Sequence, residues 1–259
     1  MKKILIMLIA LVMLVGGALA EPHDQLATVP DFTVHTIDGE DLSLSALLAE
    51  KDAVLLNIFA TWCPPCQAEF PLLEAAHQAY GDRLAVIAVS AEPRDTDDVL
   101  DAFRSEFGLS FPVANIEGSG ILDFLTVTAF PPTLLIDKNM NVGFSQMGYF
   151  AVDAQLTAVL DHLLSEDYDG SRFAFYGVYC YDPDEQPLEG VTILFCSDST
   201  CTPMASDENG MIMFCAAPDA YHLQLLEAPE GLESQEALDE TVDPAGGMWT
   251  LLPLVYPEG

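Results

Sequence analysis

Basic residues are scarce in this chain. Eight lysines and arginines stand against 41 aspartates and glutamates in 259 residues, a formal net charge of −33 at pH 7. Such a surface repels nucleic acid and anionic lipid, and no Lys/Arg cluster overcomes the repulsion. It fits either attraction to a basic partner or, as the reading favoured here, a solubilising or acid- and salt-adapted surface. No glycine-rich nucleotide fingerprint occurs, so neither a flavin nor a nicotinamide site is expected. Only one Cys-x-x-Cys is present, and the five histidines (His23, His35, His77, His162, His222) show no ligand spacing. Zinc would need further ligands at knuckle-like spacing, so a metal site is not expected.

The longest apolar run lies at the start. Lys2 and Lys3 precede an uninterrupted apolar stretch, Ile4 to Val15, and Ala18-Leu19-Ala20 before Glu21 has the small-x-small form of a cleavage site. Residues 1–20 read as an export signal, with an uncleaved anchor as the alternative, since residues 4–20 nearly reach a spanning length. Membrane association is expected only in that second case. Either way the remainder is expected outside the cytoplasmic membrane of a bacterium, where disulfides persist. All six cysteines lie in that remainder.

The most informative segment is Trp62-Cys63-Pro64-Pro65-Cys66. Ala53 to Phe59 is a short apolar run, read as a buried strand, and Cys66 to Tyr80 has helical spacing closed by Gly81. The cysteines therefore fall where a strand turns into a helix. There the first cysteine is expected to be exposed, and the free N–H groups of the helix start stabilise its thiolate. Redox cycling is the reading favoured over a metal site or an inert disulfide. Cys63 would attack a substrate disulfide and Cys66, one turn later, would resolve the mixed disulfide. Pro64 suits the first helical turn. The uncharged Pro64-Pro65 pair argues against a strongly oxidising dithiol.

Around this segment, residues 21–29 read as a linker, Pro30 to Val34 begins a strand, and Asp38-Gly39 marks a tight turn. Leu84 to Ser90 and Thr133 to Asp137 read as buried strands. Asp95 to Phe107 and Val152 to Leu164 read as amphipathic helices, and a last strand falls near 142–147. The alternation implies an α/β sheet with helices on its faces over residues 30–165.

This region resembles the thioredoxin-like domain of the TlpA/ResA type of extracytoplasmic thiol–disulfide oxidoreductases. The resemblance is carried by Pro30-Asp31-Phe32, Asp38-Gly39, the run from Asn57 to Pro71 and Pro132-Thr133-Leu134-Leu135-Ile136-Asp137. It implies a cis proline beside the dithiol, assigned by pattern to Pro132, with Pro131 preceding it and touching partners. It also implies that Glu69, three residues after Cys66, manages the proton of Cys66, because Asn57 stands where thioredoxins carry a titratable Asp. Trp62 is expected to pack beside the dithiol and shield it. Catalytic residues are thus expected at Cys63, Cys66 and Glu69, and substrate contacts at Trp62, Pro131 and Pro132.

Residues 166–171 read as a second linker, and from Arg172 the pattern changes. Short β runs separated by Pro, Asp, Gly and Ser clusters imply a small all-β sandwich over 172–259. Segments such as Pro187 to Val191, Ser206 to Gly210 and Glu227 to Gly231 resemble the collagen-adhesin B-type, prealbumin-like pattern. No Lys follows Lys138, so an internal isopeptide bond has no candidate. Cys180, Cys196, Cys201 and Cys215 allow three pairings. Cys196 with Cys201 is the expected local pair, leaving Cys180 with Cys215. Structural disulfides are the favoured reading, with electron exchange with Cys63–Cys66 or a four-thiolate zinc site as lesser options.

The leading expectation is therefore an exported thiol–disulfide oxidoreductase that reduces disulfide-bearing exported proteins. It needs a membrane electron donor and no cofactor beyond its own redox-active disulfide. One alternative is a peroxidase-like redoxin, which would want Pro-x-x-x-Thr-x-x-Cys. Here Thr61 stands two residues before Cys63, and position 57 is Asn. The other is a non-enzymatic cell-surface binding or assembly protein built on a thioredoxin-like scaffold.

Overall fold

One central strand, its side chains alternating between two cores, organises the first half of the chain. The computed structural model describes residues 28–150, 152–197, 200–218, 221–234, 241–242 and 248–255. The export-signal reading of residues 1–20 lies outside them. Strand β3 (Ala53–Phe59) is buried at every position. Ala53, Leu55 and Phe59 point to one side of the sheet and Val54, Leu56 and Ile58 to the other, as a period of two requires. The run is continuous rather than alternating in polarity because both faces are covered.

The sheet has the order β5-β4-β3-β6-β7. Strands β4 (Leu84–Ser90) and β5 (Val113–Asn115) run parallel to β3. β6 (Pro132–Asp137) and β7 (Val142–Met147) complete the sheet in antiparallel pairing. β1 (Thr33–His35) and β2 (Asp41–Ser43) form a separate hairpin. It leads into α1 (Leu44–Glu50), capped by the Ser43 hydroxyl on the Ala46 N–H.

One face of the sheet packs α1 with Phe32, Val34 and Leu44. The other packs α2 (Pro64–Tyr80), α3 (Asp97–Phe107) and α4 (Asp153–Leu163) around Phe59, Phe70, Phe103 and Phe111. Phe70 meets Phe59 edge-on at 5.0 Å and Phe103 at 5.2 Å between centroids. Such ring pairs fix α2, and with it the helix start, against the sheet.

The second half is a sandwich of two four-stranded sheets, ordered β11-β8-β15-β13 and β10-β9-β12-β14. The strands are β8 (Ala174–Tyr181), β9 (Thr192–Cys196), β10 (Cys201–Ala205), β11 (Met211–Ala216), β12 (Tyr221–Glu227), β13 (Glu233–Ser234), β14 (Thr241–Val242) and β15 (Met248–Val255). Between the sheets lies a core of Tyr176, Val178, Cys180, Ile193, Phe195 and Leu223, among others. Part of the opposite face of β8 and β11 is covered as well. Phe175, Met213 and Cys215 pack into the α2–α4 core of the first domain, together with Phe173.

The join at residues 166–173 is packed rather than a loose tether. Phe173 stacks on Phe144 at 5.5 Å, lies 4.4 Å from the His162 ring, and donates its N–H to the Gly143 carbonyl at 2.8 Å. A Cβ on Gly143 would stand 2.6 Å from the Tyr168 hydroxyl and 2.8 Å from Leu163 Cδ1. Glycine there lets the join close onto β7.

Candidate active site

The dithiol sits at the carboxyl end of β3, where the chain leaves the sheet and begins α2. Cys63 is the N-cap residue, in extended backbone, and its Sγ accepts the Cys66 N–H at 3.2 Å. Pro64 and Pro65 occupy the first helical positions, where a missing N–H costs nothing. Cys63 and Cys66 are joined in a disulfide with Cα atoms 5.3 Å apart. A sulfur at an N-cap receives both a hydrogen bond and the positive end of the helix dipole, which favours its thiolate.

Cys63 is not exposed in this oxidised state. Only 2 % of it is accessible, against 0 % for Cys66. The expectation of an open first cysteine is corrected here: as N-cap, its sulfur turns back over the helix start instead of outward.

Glu69 lies one turn beyond Cys66 and is wholly buried. Burial pushes its carboxyl up to about 7, opposed by the Phe150 N–H at 3.0 Å and the Asn57 amide at 2.9 Å. Asn57 also donates to Thr133 Oγ1 at 2.9 Å. Its own Oδ1, buried, has no partner. Asn57 therefore spends both amide protons on neighbours and orients the acid without titrating.

Trp62 stands at the rim. It is 56 % exposed, meets Phe130 edge-on at 5.9 Å, and donates its indole N–H to Glu92 Oε2 at 2.7 Å. Glu92 is held down to about 2, first by Arg94 and then by this indole. The indole forms a wall tied sideways and is not itself buried over the sulfurs.

Residues 26–145 match the AhpC/TSA family model. Thioredoxin-like protein YneN of Bacillus subtilis is 37 % identical over 110 residues, 42 % of this chain and 63 % of that protein. Thiol-disulfide oxidoreductase ResA of Bacillus thuringiensis is 33 % identical over 114 residues, 44 % of this chain and 64 % of that protein. The chain thus spans a little under two thirds of the length of these curated relatives. Among solved structures, a thiol:disulfide interchange protein of the thioredoxin family from Chlorobium tepidum is 27 % identical with a TM-score of 0.46. It covers 57 % of this chain and 100 % of that one. The first domain of this chain is thioredoxin-like.

Within the thioredoxin-like domain the cis bond is one residue earlier than the pattern assigned it. It joins Phe130 to Pro131, and Pro132 opens β6 in register with Met147. In the doublet, the second proline is taken up by the strand, so Pro131 fills the loop position and Phe130 is the residue before it. Both prolines are buried, and the Pro131 carbonyl accepts the Gly148 N–H at 2.8 Å.

Sequence reasoning missed Asp95. It is 3 % exposed and accepts from the Thr61 N–H at 3.0 Å, the Thr61 hydroxyl at 2.6 Å and the Ser90 hydroxyl at 2.6 Å. It holds the residues just before Cys63 from a loop 34 positions away, and no local pattern announces that. Phe150, whose N–H binds Glu69 from 81 positions away, was missed for the same reason.

Of the second-domain cysteines, Cys196 and Cys201 are bonded. Cys180 and Cys215 are free, which corrects the expected pairing. Cys180 points into the sandwich core, whereas Cys215 faces α4 and its Sγ lies 3.6 Å from the Ala158 carbonyl. Cys180 bonds to Gly210 along the ladder and Cys215 pairs with Phe175. An odd offset of five residues puts the two thiols on opposite faces, out of bridging reach. Burial pushes both up to about 12.

Proposed function

We propose that this chain is an extracytoplasmic thiol–disulfide oxidoreductase that reduces disulfides of exported bacterial proteins. One observation carries the reading: a redox-capable pair at a helix N-cap has, one turn on, a buried carboxyl whose pKa is near 7. In the reduced state the Cys63 thiolate attacks a substrate disulfide, forming a mixed disulfide and releasing one substrate thiolate. Glu69, ionised, receives the proton of Cys66. The Cys66 thiolate then attacks Cys63 Sγ and releases the second substrate thiol. Two electrons pass to the substrate, and the Cys63–Cys66 disulfide forms. A dithiol donor at the membrane restores the reduced pair, with no further cofactor.

Placement outside the cytoplasmic membrane is supported by the apolar start of the sequence and by the relatives' thiol-disulfide chemistry. Trp62, exposed and set edge-on against Phe130, stands at the rim that an incoming peptide meets. The peroxidase alternative is disfavoured by Thr61, whose hydroxyl is committed to Asp95 and stands away from polarising a peroxide at Cys63.

The test is a redox titration with alkylation and peptide mass spectrometry at each cysteine. A Cys63–Cys66 potential between about −270 and −230 mV, in the range of thioredoxin and glutaredoxins, supports the reductase. A value near about −120 mV would make the protein a disulfide donor, and resistance below about −300 mV would make the bond structural.

A further inference from the structure

The reductase reading leaves one disulfide without a role. Cys196 ends β9 and Cys201 begins β10, where they are direct partners across an antiparallel ladder. Four more register pairs already join these strands, and β12 holds β9 from its other side. The turn has its own closure, with Ser197 N–H donating to the Thr200 carbonyl at 2.8 Å. A cross-link over so short a loop removes little freedom from the unfolded chain. It fastens nothing that the backbone does not already fasten.

Access is the second observation. Cys201 is exposed and Cys196 half-buried, and β10 is the edge strand of its sheet. An attacking group reaches the sulfurs without displacing core. The two free thiols of the same domain are buried and pushed up to about 12, so neither serves as an attacking group. The sandwich core and the inner sheet separate the disulfide's sheet from α4 and the first domain.

We propose that Cys196–Cys201 is a second thiol–disulfide exchange site, an electron acceptor for a protein dithiol carried by another molecule. The donor's thiolate attacks Cys201 Sγ, the Cys196–Cys201 bond breaks, and Cys196 leaves as a thiolate that takes a proton. The donor's second thiol then attacks its own partner sulfur and frees Cys201 as a thiol. Two electrons move to the Cys196/Cys201 pair, and the donor becomes a disulfide. The donor is a Cys-x-x-Cys dithiol of a second copy of this chain or of a separate protein. Only the first source rests on the function proposed above.

The experiment uses the oxidised full-length chain as acceptor, as wild type and as Cys63→Ser/Cys66→Ser, read at the Cys196 and Cys201 peptides by alkylation and mass spectrometry. The donors are the reduced Cys196→Ser/Cys201→Ser chain in one arm and a reduced bacterial thioredoxin in the other. Dithiothreitol at equal thiol concentration sets the reference rate. The expected result is opening at least ten-fold faster than the reference in one or both arms, with one donor disulfide formed per bond opened. Acceleration in the first arm assigns the donor to a second copy, and acceleration in the second arm alone assigns it to a separate protein. Rates at the reference in both arms overturn the proposal. Insulin reduction by the first donor is measured in parallel. If insulin is reduced while Cys196–Cys201 stays closed in both arms, this site falls and the oxidoreductase reading stands. If insulin is untouched, the thioredoxin arm alone decides the site.

Discussion

The chain holds two disulfides in opposite settings. Cys63–Cys66 is buried at a helix N-cap, with Asn57, Glu69 and the Phe150 N–H arranged beneath it by three separate elements. Cys196–Cys201 lies on an edge hairpin, joining neighbours that would remain neighbours without it. The first pair lies among groups that can tune its sulfurs, and the second lies where another molecule can approach it. The first pair gives up openness for a helix dipole and a titratable acid close to neutrality. The second has openness instead, with Cys201 exposed on the edge strand of its sheet.

The largest effect expected is from Cys63→Ser, which should abolish insulin reduction, whereas Cys196→Ser should leave that reaction near the wild-type rate. Loss of insulin reduction in both variants would erase the distinction between the two pairs. Next in size is a test of whether the regions are mechanically independent. Phe173 stacks on Phe144 and packs beside Leu163, so Phe173→Ala should cost about 3–5 kcal/mol, read from denaturant unfolding of the whole chain. The loss should appear in the transition of the thioredoxin-like domain as well, because the ring belongs to its core. A transition of that domain left unmoved would show that the packed join contributes no stability.

Glu69→Gln sharpens the chemical side. Glu69 titrates near 4.5 in the unfolded chain and near 7 when folded, so between those values the folded state holds a proton that the unfolded state has released. Wild-type stability therefore falls as pH rises through that window, by about 3 kcal/mol in all, and Glu69→Gln should lack the fall. The variant should gain on wild type from pH 5 to pH 8 in paired unfolding curves. Its reductase rate at pH 7 should drop on the order of 10²-fold, the usual range for losing a positioned acid or base, with the pH profile flattened near 7. Parallel unfolding curves at both pH values would mean that Glu69 is ionised throughout.

What was legible in the sequence is what local pattern controls. The apolar runs 53–59 and 84–90 are strands, the Pro-Pro segment opens a helix, and the Cys196/Cys201 spacing gives a hairpin bond. Glu69 was singled out from its spacing to Cys66 and the family resemblance, and the structure places it wholly buried. What escaped depends on distant residues or on strand parity. The three-residue β5 has too short a pattern to announce itself. Asp95 and Phe150 reach the site from other loops. The cis bond was assigned to Pro132 and falls at Pro131, because the second proline of the doublet is taken up by β6 in register with β7. Cys180 and Cys215 looked like natural partners until the ladder placed them on opposite faces of the same sheet. Likewise, nothing in the β8 sequence says that Phe175 belongs to the core of the other domain.

The smallest expected effect bears on the exposed pair. By the loop-entropy argument, a cross-link closing a loop of about six residues stabilises by about 2 kcal/mol at most. The Cys196→Ser/Cys201→Ser chain should therefore lose no more than that in denaturant unfolding, with the slope of its transition unchanged. Because β9 keeps its bonds to β12 and β10 keeps four register pairs, the sandwich has no reason to open elsewhere. A loss well above about 2 kcal/mol would make this bond a structural fastener and would remove the reason to read it as spare for electron exchange. A loss at or below that figure leaves an exposed disulfide whose presence stability does not explain.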